Sequence, residues 1–148
     1  MDNHILCVST RDTVDARTIR TLLSALYGVE DRVVVPPGEQ PPADTAMVFQ
    51  VYDYPAGFRG SVSVSLYPGT RGPSTDRSLA ARLAPLLNTD VIAHKSDTYG
   101  DWYLFRPDGS CFLGPEDVRD GDEIYLDESR LVPVSFDEAV GESPEAEG

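Results

Sequence analysis

The run Ser61-Val62-Ser63-Val64-Ser65-Leu66-Tyr67 alternates strictly between polar and apolar side chains. Successive side chains of a strand point to opposite faces, so Val62, Val64 and Leu66 turn to a core and the serines to water. Such a strand requires an antiparallel sheet covered on one face, and the rest of the chain must supply further strands and the cover. Ala46–Asp53 carries the same two-residue period, with Met47, Phe49 and Val51 on one side and Gln50 and Tyr52 on the other. His4–Ser9 is mostly apolar, as in a strand inside a sheet. The cover reads as two helices. Ile19, Leu22, Leu23, Leu26 and Tyr27 recur at helical spacing behind Asp12, the expected N-cap, with Asp15 in the first turn and Gly28 as the stop. Leu79, Leu83, Leu86 and Leu87 form a second stripe behind Asp76, again the expected cap. Pro85 lacks the N–H that would reach Ala81, at a cost of about 3 kcal/mol inside a helix. A kink is expected there, or a stop near Ala84 followed by one more turn.

Further strands are expected at Val91–His94 and in a hairpin, Trp102–Arg106 and Cys111–Leu113, around the turn Pro107-Asp108-Gly109-Ser110. Arg32–Val35 reads as a short strand or arm. Leu131–Val134 reads as a last strand held to an edge by Pro133. The order β-α-β-β-α-β over residues 4–106 resembles the ferredoxin-like plan. The expected architecture is therefore α+β: an antiparallel sheet of about five to seven strands, two helices on one face and a C-terminal hairpin extension. Residues 1–135 are expected to be one domain. Residues 136–148, rich in Glu, Ala, Gly, Ser and Pro, are expected to be a disordered acidic tail.

A chain of 148 residues that is 41% hydrophobic can bury a core without disulfides or a structural metal. Its two cysteines, Cys7 and Cys111, lie in apolar strands and are expected to be buried, reduced thiols, which fits a cytoplasmic setting. No apolar run is long enough to span a membrane, and Met1–Cys7 lacks the basic and apolar regions of a secretory signal. The net charge of −13 is uneven: residues 1–96 hold 10 acids and 9 bases, whereas residues 97–148 hold 15 acids and 3 bases, Arg106, Arg119 and Arg130. A field of this sign repels nucleic acid and anionic membrane and draws a basic partner or cations.

Catalytic signatures are sparse. Cys7 or Cys111 with His4 or His94 are the residues for a Cys–His pair, but no family motif surrounds them; packing or exposure of the histidines is the plainer account. The histidines and cysteines lack zinc-site spacing. Asp117–Glu128 has the first and twelfth residues of a calcium loop, yet Arg119 stands third and the glycine, Gly121, fifth, which disfavours an EF-hand. Asp97, Asp101 and Asp108 have the chemistry of a carboxylate acid–base pair, but solvated surface acids are much the better account of them. No cofactor and no metal are expected.

The densest constellation runs from Asp97 to Glu128. Trp102, Leu104 and Arg106 share one face of their strand and Tyr103 and Phe105 the other. One set must meet the core. The other either faces a partner or lies under a loop or the tail. Aromatic anchors ringed by carboxylates suit a Lys/Arg-rich partner, the aromatics gripping and the acids steering. The expected partner-binding residues are Tyr99, Asp101, Tyr103, Asp108, Glu116, Asp117, Asp120, Asp122, Glu123 and Tyr125. The hairpin residues Trp102, Leu104, Pro107, Asp108 and Gly109, in a small acidic α+β chain, resemble the single-domain immunity proteins of bacterial toxin systems. That resemblance implies a stoichiometric inhibitor docking on a basic toxin or nuclease; the charge argues against direct contact with nucleic acid or membrane, and both monomer and homodimer stand open. Two other readings stand beside it. One is a small enzyme or ligand-binding domain with a pocket near His94, Asp97 and Tyr99. The other is an assembly module pairing through an edge strand near Val33 or Val132.

Overall fold

The computed structural model describes residues 4–95 and 100–141. Eight strands form one sheet in the order β2-β3-β4-β1-β5-β6-β7-β8. They are β1 (His4–Thr10), β2 (Val34–Val35), β3 (Met47–Asp53), β4 (Gly60–Leu66), β5 (Val91–His94), β6 (Asp101–Phe105), β7 (Cys111–Pro115) and β8 (Val132–Val134). Neighbours are antiparallel except β2 and β3, which are parallel. The sheet is therefore mixed and larger than expected. It is mixed because β2 joins β3 in parallel, and it reaches eight strands because both short segments read at Arg32–Val35 and Leu131–Val134 pair into it.

Three helices, α1 (Ala16–Tyr27), α2 (Asp76–Leu87) and the short α3 (Phe136–Val140), join the main core with the inward residues of the sheet. Ile19 and Leu23 of α1 and Leu79, Ala80, Leu83 and Ala84 of α2 are fully buried against Leu6, Val62, Val64 and Phe49. The caps differ from the expected ones. Asp15, not Asp12, caps α1, its carboxylate accepting from the Thr18 N–H at 2.8 Å. Thr75, not Asp76, caps α2 in a reciprocal capping box with Ser78. Asp12 is used elsewhere, accepting from the Thr89 hydroxyl at 3.1 Å. The helix α2 runs through Pro85 without a break and ends on Asn88 in the left-handed conformation.

The first residues of the expected tail are instead folded onto the main core. Phe136–Val140 is helical, Ala139 is fully buried, and Arg77 donates to the Ala139 and Glu138 carbonyls at 2.7 and 2.6 Å. Residues 142–148 lie outside the described residues.

The other face of the sheet is split. Over β5, β6 and β7 it carries a second, smaller core of Phe58, Ile92, Trp102, Leu104 and Leu126, with Phe112, Ile124 and Leu131 packed at its margin. Over β3, β4 and β1 it is open, and Tyr52, Gln50 and Ile5 face solvent. Cys7 lies on this open part and is exposed, which corrects the expectation of a buried thiol; Cys111 is buried on the helical side. Among the described residues no helix is long and apolar enough to cross a membrane.

Candidate functional site

The acid-rich segment is what closes the second core. After Pro115 the chain doubles back: Glu116 pairs with Leu126 in an antiparallel bridge, and the Asp117 N–H donates to the Tyr125 carbonyl at 2.7 Å. The Asp127 N–H returns to the Pro115 carbonyl at 3.0 Å. Residues 116–127 thus make a finger. Ile124 and Leu126 point its inner side at Trp102 and Phe58, so burial of apolar surface holds it down. The Phe58 N–H donates to the Ile124 carbonyl at 2.8 Å, tying the finger to the β3–β4 loop. Gly57, at φ +70°, allows that approach; a Cβ there would meet the Ile124 carbonyl oxygen. At the root, the Trp102 indole N–H donates to Glu116 at 3.1 Å.

Carboxylates and one apolar side chain occupy the outer side. Val118 is 80% exposed. Asp120 and Asp122 are exposed and Glu123 half-buried, and none of the three has a base within ion-pair distance among the described residues. The finger's own base, Arg119, is engaged: it bonds Asp117 at 2.8 Å and lies 3.9 Å over the Tyr125 ring. The Asp117 carboxylate holds the Arg119 guanidinium above its ordinary value. Lower down, Glu128 is neutralised from two sides, by Arg11 at 3.0 Å and Arg106 at 3.9 Å. Arg11 also pairs with Asp90 at 2.9 Å and covers the Phe58 ring at 4.7 Å, so it rivets the finger's base to the ends of β1 and β5. Arg106 lies over Phe112 at 5.0 Å, with its Nε buried and unbonded.

The expected partner-binding residues separate into groups. Asp120, Asp122, Glu123 and Asp117 come together on the finger, with Asp101 and Glu116 at its root. Asp108 does not join them. It sits in the turn at the opposite end of the β6–β7 hairpin and bonds the Ser110 hydroxyl and N–H, which hold its carboxyl below the usual range. Tyr103 is 3% exposed on the helical side, beneath the Arg77 guanidinium at 4.3 Å, so it is a core residue and not an anchor. Tyr125 is half-buried under Arg119 and presents no free ring face on that side. Tyr99 lies outside the described residues, as does Asp97. Val118 escaped the sequence reading because a single valine among charges carries no periodic signal.

Of the pocket expected near His94, Asp97 and Tyr99, only His94 lies among the described residues. His94 is exposed and its ring leans on Trp102, with centroids 3.9 Å apart. On the far side, the Cys7 N–H donates to the Asp76 carboxylate at 2.9 Å, and His4 Nε2 meets the Ser74 carbonyl at 2.6 Å. Burial raises the Asp76 pKa, against the pull of that N–H and of His94 and His4. No hydrogen bond joins either thiol to an imidazole among the described residues; Cys7 Sγ instead lies 3.7 Å from Ser63 Oγ. No group of three His, Cys, Asp or Glu side chains suited to a metal occurs among the described residues.

No protein-family model matches the chain, and no match was found among curated proteins or solved structures. Fold and site together define an α+β protein whose mixed sheet carries helices on one face and an acid-tipped finger on the other.

Proposed function

We propose that this chain is a non-catalytic binding protein whose acidic finger docks on a basic protein surface. One observation carries the reading: among the described residues Asp120, Asp122 and Glu123 stand without basic partners, on a segment that is folded and clamped by its own small core. A clamped backbone loses little chain freedom on binding, and three charges on it beside the exposed Val118 give a steering field with an apolar point of contact. A loose acidic tail would supply the field without the shape. In its finer form the reading is a stoichiometric inhibitor of toxin-immunity type, the finger covering a cationic site that would hold phosphate. The four strands β3-β4-β1-β5 with the two long helices supply its scaffold on a ferredoxin-like plan, and free thiols suit a reducing cytoplasm.

The test is retention of partners from the source cell on immobilised chain, comparing wild type with Asp120→Lys, Asp122→Lys and Glu123→Lys combined. A basic protein held by wild type and lost by at least about tenfold in the variant is expected, with association slowing as salt rises. Equal retention by both chains rejects the finger as the contact.

A further inference from the structure

The helical face carries an apolar cleft that the finger does not reach. It lies between α1, α2 and α3, has a volume of about 290 Å³, and is walled by Leu26, Pro73, Ala81, Phe136 and Val140, with Arg82 at its lip. The walls are fixed. The Tyr27 hydroxyl donates to the Pro73 carbonyl, and Gly72 lies so close to the Tyr27 ring that a Cβ would overlap it. Arg77 pins α3 through the Glu138 and Ala139 carbonyls. Ser78 also borders the cleft, but its hydroxyl is committed to the Thr75 cap. Among the described residues, Arg82 is therefore the polar side chain left to a ligand. It is exposed and has no carboxylate within ion-pair distance among the described residues, in a chain with 25 acids and 12 bases. Phe136, 51% exposed, also lines the cleft.

We propose that this cleft binds a small amphipathic carboxylate, its hydrocarbon chain on Leu26, Pro73, Ala81 and Val140 and its carboxylate on the Arg82 guanidinium. The charge pattern selects this class. A guanidinium fork binds a carboxylate with two parallel bonds, whereas a cationic amphiphile is repelled and a wholly polar anion leaves the apolar wall unused. The volume sits at the small end of ligand pockets and fits a short chain. This site is independent of the finger and stands or falls without it.

The experiment titrates the full chain with octanoate, octanol and octylamine, following backbone amide and methyl shifts by nuclear magnetic resonance. Octanoate is expected to shift Leu26, Ala81 and Val140 and to bind about tenfold more tightly than octanol, with octylamine weakest. Arg82→Gln, a change at an exposed side chain, should bring octanoate down to the octanol level, and Ala81→Trp should block both. Three results overturn the proposal: no octanoate binding at millimolar concentration, equal octanoate affinity in Arg82→Gln, or a wild-type dimer that Ala81→Trp converts to monomer. The last would assign the cleft to a second copy of the chain.

Discussion

Asp76 spends its carboxylate on a strand rather than on its helix. It sits in the first turn of α2 and accepts the Cys7 N–H of β1, just past the point where the β1–β5 ladder ends at Ser9 and Ile92. Burial raises its pKa above 3.8, although His94 and His4 both pull the other way. A carboxyl whose folded pKa exceeds its unfolded value favours folding when protonated, and that contribution is lost as pH rises through the folded pKa. Asp76→Asn keeps an acceptor for the Cys7 N–H and removes the buried charge. At about pH 7 the variant should be at least as stable as wild type, within about 1 kcal/mol. The advantage should shrink as pH falls through the titration of the folded carboxyl, as read by urea unfolding from neutral to acid pH. A large loss at neutral pH would show that the ionised form is needed. The same scale explains what was hidden in the hairpin. Alternation separates Trp102 and Leu104 from Tyr103 and Phe105, but it is silent on which face lies under helices and whether the other is bare. Both are covered, so neither aromatic set is the exposed anchor that spacing alone allowed.

The elements read from apolar periodicity, α1, α2, β3 and β4, lie close to where their patterns put them, because each spans several periods. The errors fall where two polar residues compete for one role. Thr75 and Asp76 are both good caps, and only Thr75 forms the reciprocal pair with Ser78. The helix α3, at five residues, is too short for a stripe and is held by the burial of Ala139 and by Arg77 instead. Pro85 tests how far packing overrides propensity. With Leu83 and Ala84 fully buried beside it, α2 continues past a residue that leaves the Ala81 carbonyl without its partner. Pro85 itself is exposed, so Pro85→Ala restores that bond without disturbing the core. The gain from the helix is offset by a freer unfolded chain, which leaves about 1–2 kcal/mol of stabilisation. A higher midpoint of denaturant unfolding with an unchanged slope is the expected reading. Thr75→Ala should move the midpoint the other way by about 1 kcal/mol.

For the molecule as a whole, the consequence of two cores on one sheet is unequal stability. The main core joins three helices to both halves of the sheet, whereas the second rests on five buried residues and the finger that covers them. A small core with few partners opens first, and it can do so without unfolding the rest. Leu126→Ala truncates the finger's one buried side chain, and a buried Leu→Ala change costs about 2–3 kcal/mol where the site is near the surface. That loss should fall on finger docking more than on global unfolding. Two amides report it: Asp117, bonded to the Tyr125 carbonyl, and Phe58, bonded to the Ile124 carbonyl. In Leu126→Ala both should exchange with solvent deuterium about ten- to a hundredfold faster than in wild type, while amides along the β1–β4 ladder change far less. Partner affinity should fall in step although every carboxylate remains, since the charges would then sit on an unclamped segment. Uniform acceleration across both cores would mean that the finger is an integral part of one cooperative unit. Unaltered affinity in a chain whose finger has come loose would mean that charge alone, not its placement, draws the partner.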